Sequence, residues 1–367
     1  SDPQIRQEVA RLALEAITSS ALDALASDGD HPVFVASISQ TLNVGQPNAD
    51  TIYRSATITP GGSYRLRGLR GTLPIVKIGQ VGPRPGEPGW KAEKGQRAYF
   101  DTNTLKVDKQ GRYDVLLSPT RPAGYTGDWW PLDPTTNKLL LRMVSSDWGK
   151  EHDPTFAIER TDIPVSRSRV SAAVLEERLR RLPTAAKFIG TLLVGQVEKL
   201  KAEGFINKFK PFDANAMPGL LTGQAYYEGA YELKDDEALI VEVKAPTQCA
   251  YRSLILTNEI YQTMDWTNNH SSLNGAQAKV DKDGVLRVVI ASRDPGVPNW
   301  LDTAGHQRGL IQGRWTDCNS QPTPSIRKVA FADVRAAFPP ETSRITPEER
   351  EQITRDRRAD YQQRPLW

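Results

Sequence analysis

The chain has 367 residues, of which 38% are hydrophobic and 25% charged, and a formal net charge of +3. This is ordinary globular composition, and the length exceeds a single typical core, so two domains or two fused halves are expected. The small net charge and the lack of a Lys/Arg cluster interleaved with aromatics argue against a nucleic-acid partner. No apolar run approaches the roughly 18 residues of a membrane span, so no membrane partner is expected either.

No signal peptide is legible at the N-terminus. The initial Ser fits a trimmed initiator Met or a cleaved precursor alike. Cys249 and Cys318 are too few for a disulfide framework or a zinc site. Both fall near predicted strands, so one bridge could form, but the expectation is two free buried thiols in a reducing compartment. A cytoplasmic location is the expectation, with processing to the periplasm or secretion left open.

Gln4 to Leu25 predicts a helix, with Ile5, Val9, Leu12, Ile17 and Leu25 near one stripe. Its apolar face must dock on a body or a neighbouring subunit. From Asn48 the pattern turns to β. Thr51 to Ile58 alternates, Gly61-Gly62 makes a turn, and Ser63 to Arg67 and Leu73 to Ile78 read as strands. Residues 81–95 are Gly/Pro-rich, but no Gly-Lys-Ser/Thr follows and the prolines remove backbone donors, which argues against a phosphate cradle. Tyr113 to Ser118 and Leu139 to Val144 are strands around a loop carrying Trp129, Trp130 and Asp133.

Ser168 to Lys208 predicts two helices. The first carries Leu175, Leu179 and Leu182; Pro183-Thr184 caps the second, which ends near Gly204. β character returns from Tyr226 to Trp315. The tail predicts a short helix near Ser325 to Phe338 and a charged, solvated one from Pro347 to Tyr361.

The two β regions resemble each other. Lys106 to Gly111 (KVDKQG) matches Lys279 to Gly284 (KVDKDG), each before a strand. Trp130-Pro131-Leu132-Asp133 parallels Trp300-Leu301-Asp302, and each leads into an apolar strand ending in Arg142 or Arg314. Gly62 to Leu66 parallels Gly229 to Leu233. Offsets of about 167 to 173 residues suggest an internal duplication. The expected fold is mainly β: two antiparallel, jelly-roll-like sandwiches with N-terminal, linking and C-terminal helices. The expected divisions are a helical arm at 1–46, a first sandwich at 47–165, a helical linker at 166–212, a second sandwich at 213–320 and a helical tail at 321–367.

The stretch from Tyr251-Arg252-Ser253-Leu254 through Asn274 to DPGVPNWLDTAGH and Arg314-Trp315 resembles the bacterial family catalogued as domain of unknown function 1214. It covers roughly residues 220 to 320. NADTIYRSA and the following Gly61 to Leu66 are similar to its partner, domain of unknown function 1254, although Ala49 stands where that family usually has Pro. The resemblance implies a jelly-roll-like sandwich in a bacterial protein that sometimes assembles into oligomers. It implies no particular activity.

Ionisable and aromatic residues crowd the loop from Arg293 to Arg308 between two apolar strands, and loops of this kind commonly carry function. Asp302 and Asp294 could supply the acid and base of glycoside cleavage, with Glu259 nearby; alternatively Asp294 caps the Pro-Gly turn. If Leu301 to Gln307 forms a helical turn, Asp302 and His306 share a face, which suits a carboxylate-oriented imidazole in proton transfer. A metal site would need a third ligand, for which His270 is the candidate of the right type, and none is expected. Arg293, Arg308 and Arg314 surround this loop and could hold an anionic group or pair with those carboxylates. Trp300 could stack on a sugar, and Asn299 and His270 could line the same cleft. Tyr53, on an alternating polar face, could look into a cleft between the sandwiches.

There is no Gly-x-Ser-x-Gly elbow, His-Glu-x-x-His, dinucleotide fingerprint or Walker loop. The expectation is therefore a cofactor-independent hydrolase or lyase, with a carbohydrate or glycosylated compound as substrate. The competing expectation is a non-catalytic ligand-binding or oligomeric assembly protein.

Overall fold

The computed structural model describes residues 2–36, 38–83, 90, 97–212, 221 and 223–366. Most of the Gly/Pro-rich stretch 81–95 therefore lies outside the described residues. Helix α1 (Pro3–Leu25) opens on Asp2, whose carboxylate accepts from Gln4 N, with Pro3 in the first turn where its missing N–H costs nothing. It buries Leu12, Glu15, Ala16, Ser19 and Ser20, while Val9, Leu14, Ile17 and Leu25 stay exposed. The expected stripe is thus shifted round the helix, because buried polar residues carry part of the docking.

The first sandwich is built from β1 (Thr51–Thr57), β2 (Tyr64–Leu69), β3 (Ile75–Val81), β4 (Tyr99–Asp101), β5 (Arg112–Ser118), β6 (Asp128–Pro131), β7 (Lys138–Val144) and β8 (Ala157–Arg160). One sheet runs β1-β7-β3-β4 and the other β6-β5-β2-β8. Alternation along the strands turns Ile52, Val76, Ile78, Leu139 and Leu141 toward Leu66, Tyr113, Val115 and Leu117 of the facing sheet, forming one core.

Helices α2 (Ala172–Thr191) and α3 (Gln196–Ala202) link the halves. Helix α2 runs through Pro183 instead of ending there; the missing N–H removes one ladder bond, and the break falls at 192–195.

The second sandwich contains β9 (Lys210–Phe212), β10 (Gln224–Glu232), β11 (Glu237–Lys244), β12 (Cys249–Thr257), β13 (Ser272–Asn274), β14 (Val285–Ala291), β15 (Trp300–Asp302), β16 (Arg308–Cys318) and β17 (Ser325–Ala330). Its sheets run β13-β12-β16-β10-β9 and β15-β14-β11-β17. Apart from the added edge strand β9, the strand orders repeat those of the first sandwich. The one parallel pair in each copy, β5 with β6 and β14 with β15, recurs at the same place. The KVDKQG and KVDKDG segments precede the equivalent strands β5 and β14. Gly62 to Leu66 begins β2, however, whereas Gly229 to Leu233 closes β10, the counterpart of β1; that third match is a likeness of composition between non-equivalent strands.

The second sandwich reaches beyond 320, because Ser325–Ala330 pairs with β11 instead of forming a helix. Its exposed Arg327 and Lys328 suit an edge strand. Two short 3-10 turns follow. Helix α4 (Pro347–Gln362) begins at a Thr346/Glu349 capping box and is solvated over most of its surface, as expected, but not on every side. It buries Arg350, Arg357 and Tyr361. Arg357 donates to Trp266 O (3.1 Å), and beyond the helix Arg364 pairs with Asp153 (2.8 Å), so the tail straps both sandwiches together. Cys249 and Cys318 stand opposite each other on β12 and β16 and are joined by a disulfide.

The sheets stack in four layers. The outer face of the β1-β7-β3-β4 sheet meets the outer face of the β12-β16-β10 sheet, where Ile75 and Val144 pack against Tyr251.

Candidate functional site

The loop from Arg293 to Arg308 folds without a helical turn. After β15 the chain reverses through Ala304 (φ 48°) and Gly305 (φ 81°), so Asp302 and His306 do not share a helix face. Asp302 Oδ1 accepts from Ala304 N (2.8 Å), and burial raises its pKa. His306 Nε2 meets Glu8 Oε1 of α1 at 2.5 Å, while Nδ1 meets Thr303 O at 3.0 Å. Burial disfavours the imidazolium, but the Glu8 hydrogen bond and charge outweigh it and raise the His306 pKa.

The neighbouring residues are tied up in packing. Asp294 caps Gly296 N (2.8 Å) and pairs with Arg350 (2.9 Å). Trp300, 7% exposed, belongs to the core behind β14; its indole N–H donates to Ala291 O (3.0 Å) and its ring lies beneath the Arg350 guanidinium. Asn299 bridges Lys279 O and Arg287 O (2.6 and 2.8 Å). His270 contacts Trp300 O (2.5 Å), and burial lowers its pKa to about 3, leaving it neutral. Arg293 is exposed and covers the Phe331 ring; Arg308 is exposed, with Glu259 3.7 Å away. These residues are close in sequence, but they do not converge on an open cleft. Among the described residues, no group of three His, Cys, Asp or Glu is placed to hold a metal.

Tyr53 has a different setting. It lines a cavity of about 310 Å³ between the two sandwiches. The duplication builds its walls. Tyr53 on β1 stands opposite Arg142 on β7, and the equivalent Tyr226 on β10 stands opposite Arg314 on β16. Thr51, Val144 and Ile75 of the first copy correspond in register to Gln224, Thr316 and Tyr251 of the second, and all six line the cavity. Leu192, Leu193 and Ile189 from the linker, together with Val44 and Ile38, add an apolar side.

Hydrogen bonds fix much of this lining. Arg314 Nη2 donates to Gln312 Oε1 (2.6 Å), and Gln312 Nε2 donates to Tyr261 Oη (3.1 Å). Arg142 Nη1 donates to Tyr99 Oη (3.1 Å). Asn48 N donates to Tyr53 Oη (3.1 Å), and Asn48 Nδ2 to Tyr251 Oη (2.8 Å). Behind Tyr251 lies Asp50, fully buried, which accepts from Tyr251 Oη (2.6 Å), Asn274 Nδ2 (2.7 Å) and Trp148 Nε1 (2.9 Å). Burial raises the Asp50 pKa against these bonds. This knot joins the halves and orients Tyr251. Gln46 (φ 56°) and Tyr261 (φ 69°), both cavity-lining, hold left-handed backbone that non-glycine residues rarely adopt.

Sequence reasoning found Tyr53 but missed Arg142, Arg314, Tyr226 and Tyr251 as one group. The available signal was the duplication: an arginine at the same place in two equivalent strands, each of which pairs with a strand that carries a tyrosine.

No family model matches the chain, and no curated protein matches it either. Among solved structures it is similar to an uncharacterised protein from Burkholderia cenocepacia, 27% identical over 91% of each chain with a TM-score of 0.83. A protein of Vibrio parahaemolyticus, 11% identical over 88% of this chain and 98% of its own, reaches a TM-score of 0.48. The paired-sandwich fold described above is thus shared across nearly the whole chain with the Burkholderia protein.

Proposed function

We propose that the protein binds a small, partly apolar molecule in the cavity between its sandwiches. The observation that carries this is the cavity itself: about 310 Å³, within the range of small-molecule sites, and lined by both apolar and hydrogen-bonding side chains. It is about twice the ~150 Å³ that accommodates benzene in an engineered apolar cavity. The unusual backbone at Gln46 and Tyr261 adds support, because such conformations cluster at ligand sites.

The hydrolase or lyase reading, with a carbohydrate substrate, rests on the Asp302–His306 loop, where protein partners already engage both groups. Binding is the reading we take forward. The disulfide supports work in an oxidising compartment instead of the cytoplasm. Exposed Val9, Leu14 and Ile17 on α1 and Leu179 on α2 support self-association, which light scattering across a dilution series would test. The resemblance to the two bacterial families of unknown function is compatible with all of this.

The test is native mass spectrometry against alcohols, amines and carboxylates that carry one aromatic ring or a medium alkyl chain. One molecule of at least one class should be retained per chain. Val144→Trp, which fills the cavity from β7, should abolish retention while the protein stays folded. Absence of binding by every class, or unchanged binding to Val144→Trp, would sink the proposal.

A further inference from the structure

We infer that the molecule bound between the sandwiches is an organic carboxylate, its acid group seated on Arg314 and its apolar body lying toward the linker. This rests on the cavity being the ligand site. Among the described residues that line the cavity, Arg142 and Arg314 are basic and none is acidic. Arg314 is 4% exposed and makes no ion pair among the described residues. One of its terminal nitrogens is held by Gln312 and the Tyr226 phenol also faces the guanidinium, but neither is charged; the other terminal nitrogen, Nη1, is buried with no hydrogen-bonding partner in the protein.

An arginine stays charged at any physiological pH, and a buried charge without a partner is strongly unfavourable. The nearest carboxylates do not supply that partner. Glu228 lies on β10 beyond Tyr226, receives a bond from Gln196 Nε2 (2.9 Å), and is pushed by burial toward its neutral form. Asp50 is committed to Tyr251, Asn274 and Trp148. Thr316 Oγ1 and Gln46 Nε2, both buried and cavity-lining, also lack protein partners and add polar groups around the same space.

The shape of the charge selects the head group. The Arg314 guanidinium lies 5.3 Å from the centre of the Tyr226 ring and is tethered by Gln312, and its planar fork matches a carboxylate. Leu192, Leu193, Ile189 and Val44 line the same cavity and offer apolar surface to the rest of the occupant. A site built around a buried charged donor rejects a neutral isostere, because the donor would be left unpaired.

The experiment is isothermal titration of the full chain with 4-phenylbutyrate, 4-phenylbutan-1-ol and 4-phenylbutylamine, and with octanoate, octan-1-ol and octylamine. In at least one series the acid should bind at least about tenfold more tightly than the alcohol, as expected of a charge-assisted hydrogen bond. The amine should bind least. Arg314→Met should erase the preference, weakening the acid by about 10- to 100-fold and the alcohol by less than about threefold. If Arg314→Met fails to fold, Gln312→Glu, which places a carboxylate against the guanidinium, should weaken the acid selectively. An alcohol or amine equal to its acid in every series that binds to the unaltered protein would overturn the carboxylate assignment while leaving the cavity as a binding site. No binding by any of the six compounds would remove the cavity reading itself.

Discussion

Replacing Asp50 with Ala is the most informative perturbation of the junction between the sandwiches. Its carboxylate is fully buried and accepts from Tyr251, Asn274 and Trp148 at 2.6, 2.7 and 2.9 Å. Alanine would leave three buried donors without an acceptor, each worth about 1–3 kcal/mol. Removing a buried charge offsets part of that loss, so the net cost should be about 3–5 kcal/mol. At roughly 1–2 °C per kcal/mol for a chain of 367 residues, the melting temperature should fall by about 3–10 °C. Asp50→Asn keeps one acceptor, and the Tyr251 hydroxyl can turn to accept from the new amide; its cost should be about 1–2 kcal/mol. Urea unfolding followed by tryptophan fluorescence measures both variants, with Trp148 as a reporter on the carboxylate. A loss below about 1 kcal/mol for Asp50→Ala would refute the reasoning, since surface-like substitutions cost that little. Equal losses for the two variants would show that charge, not hydrogen-bond count, controls the junction.

The His306–Glu8 pair should make α1 docking pH-dependent. The His306 pKa is raised in the folded protein, so the stabilisation is complete below the unfolded value of about 6.5 and disappears as pH rises through the folded one. Amide exchange in α1 should accelerate over that rise, and Glu8→Gln should abolish the dependence. Asp294→Ala should cost about 1–3 kcal/mol in thermal unfolding, because it frees the buried Arg350 and uncaps Gly296, while ligand titrations stay unchanged. The Cys249–Cys318 bridge closes a separation of 69 residues, so reduction should cost up to about 4 kcal/mol; equal melting with and without reductant would contradict it. Asp302→Asn should leave binding in the interdomain cavity intact, and loss of binding would return attention to that loop.

The sandwiches were legible because period-two alternation and Gly-rich turns are local signals. The duplication was legible through KVDKQG and KVDKDG, which sit before equivalent strands. Local pattern failed where partners lie far along the chain. Glu348 to Asp360 looks solvated in isolation, yet Arg357 is buried against Trp266 O and Arg350 against Asp294. Ser325 to Ala330 becomes a strand because β11 offers an open edge. The crowded 293–308 loop attracted functional expectations through its composition, but composition does not reveal that Trp300 and Asn299 point into packed backbone. The cavity was hidden for the opposite reason. Its residues are scattered from Ile38 to Thr316 and come together when two sheets face one another; Thr51 and Tyr53 were visible through the polar alternation of their strand, and Arg314 was read with the 293–308 loop instead of with them.

A pocket walled by two copies of one sheet would treat both ends of its occupant alike if the copies were identical. Here they are not: Thr51, Ile75 and Val144 on one wall face Gln224, Tyr251 and Thr316 on the other. Two separate, identical chains could never carry such a difference, since every substitution would appear on both sides. Joining the halves in one polypeptide lets each wall vary independently, and a lopsided guest of the kind proposed would then have one preferred orientation instead of two equivalent ones.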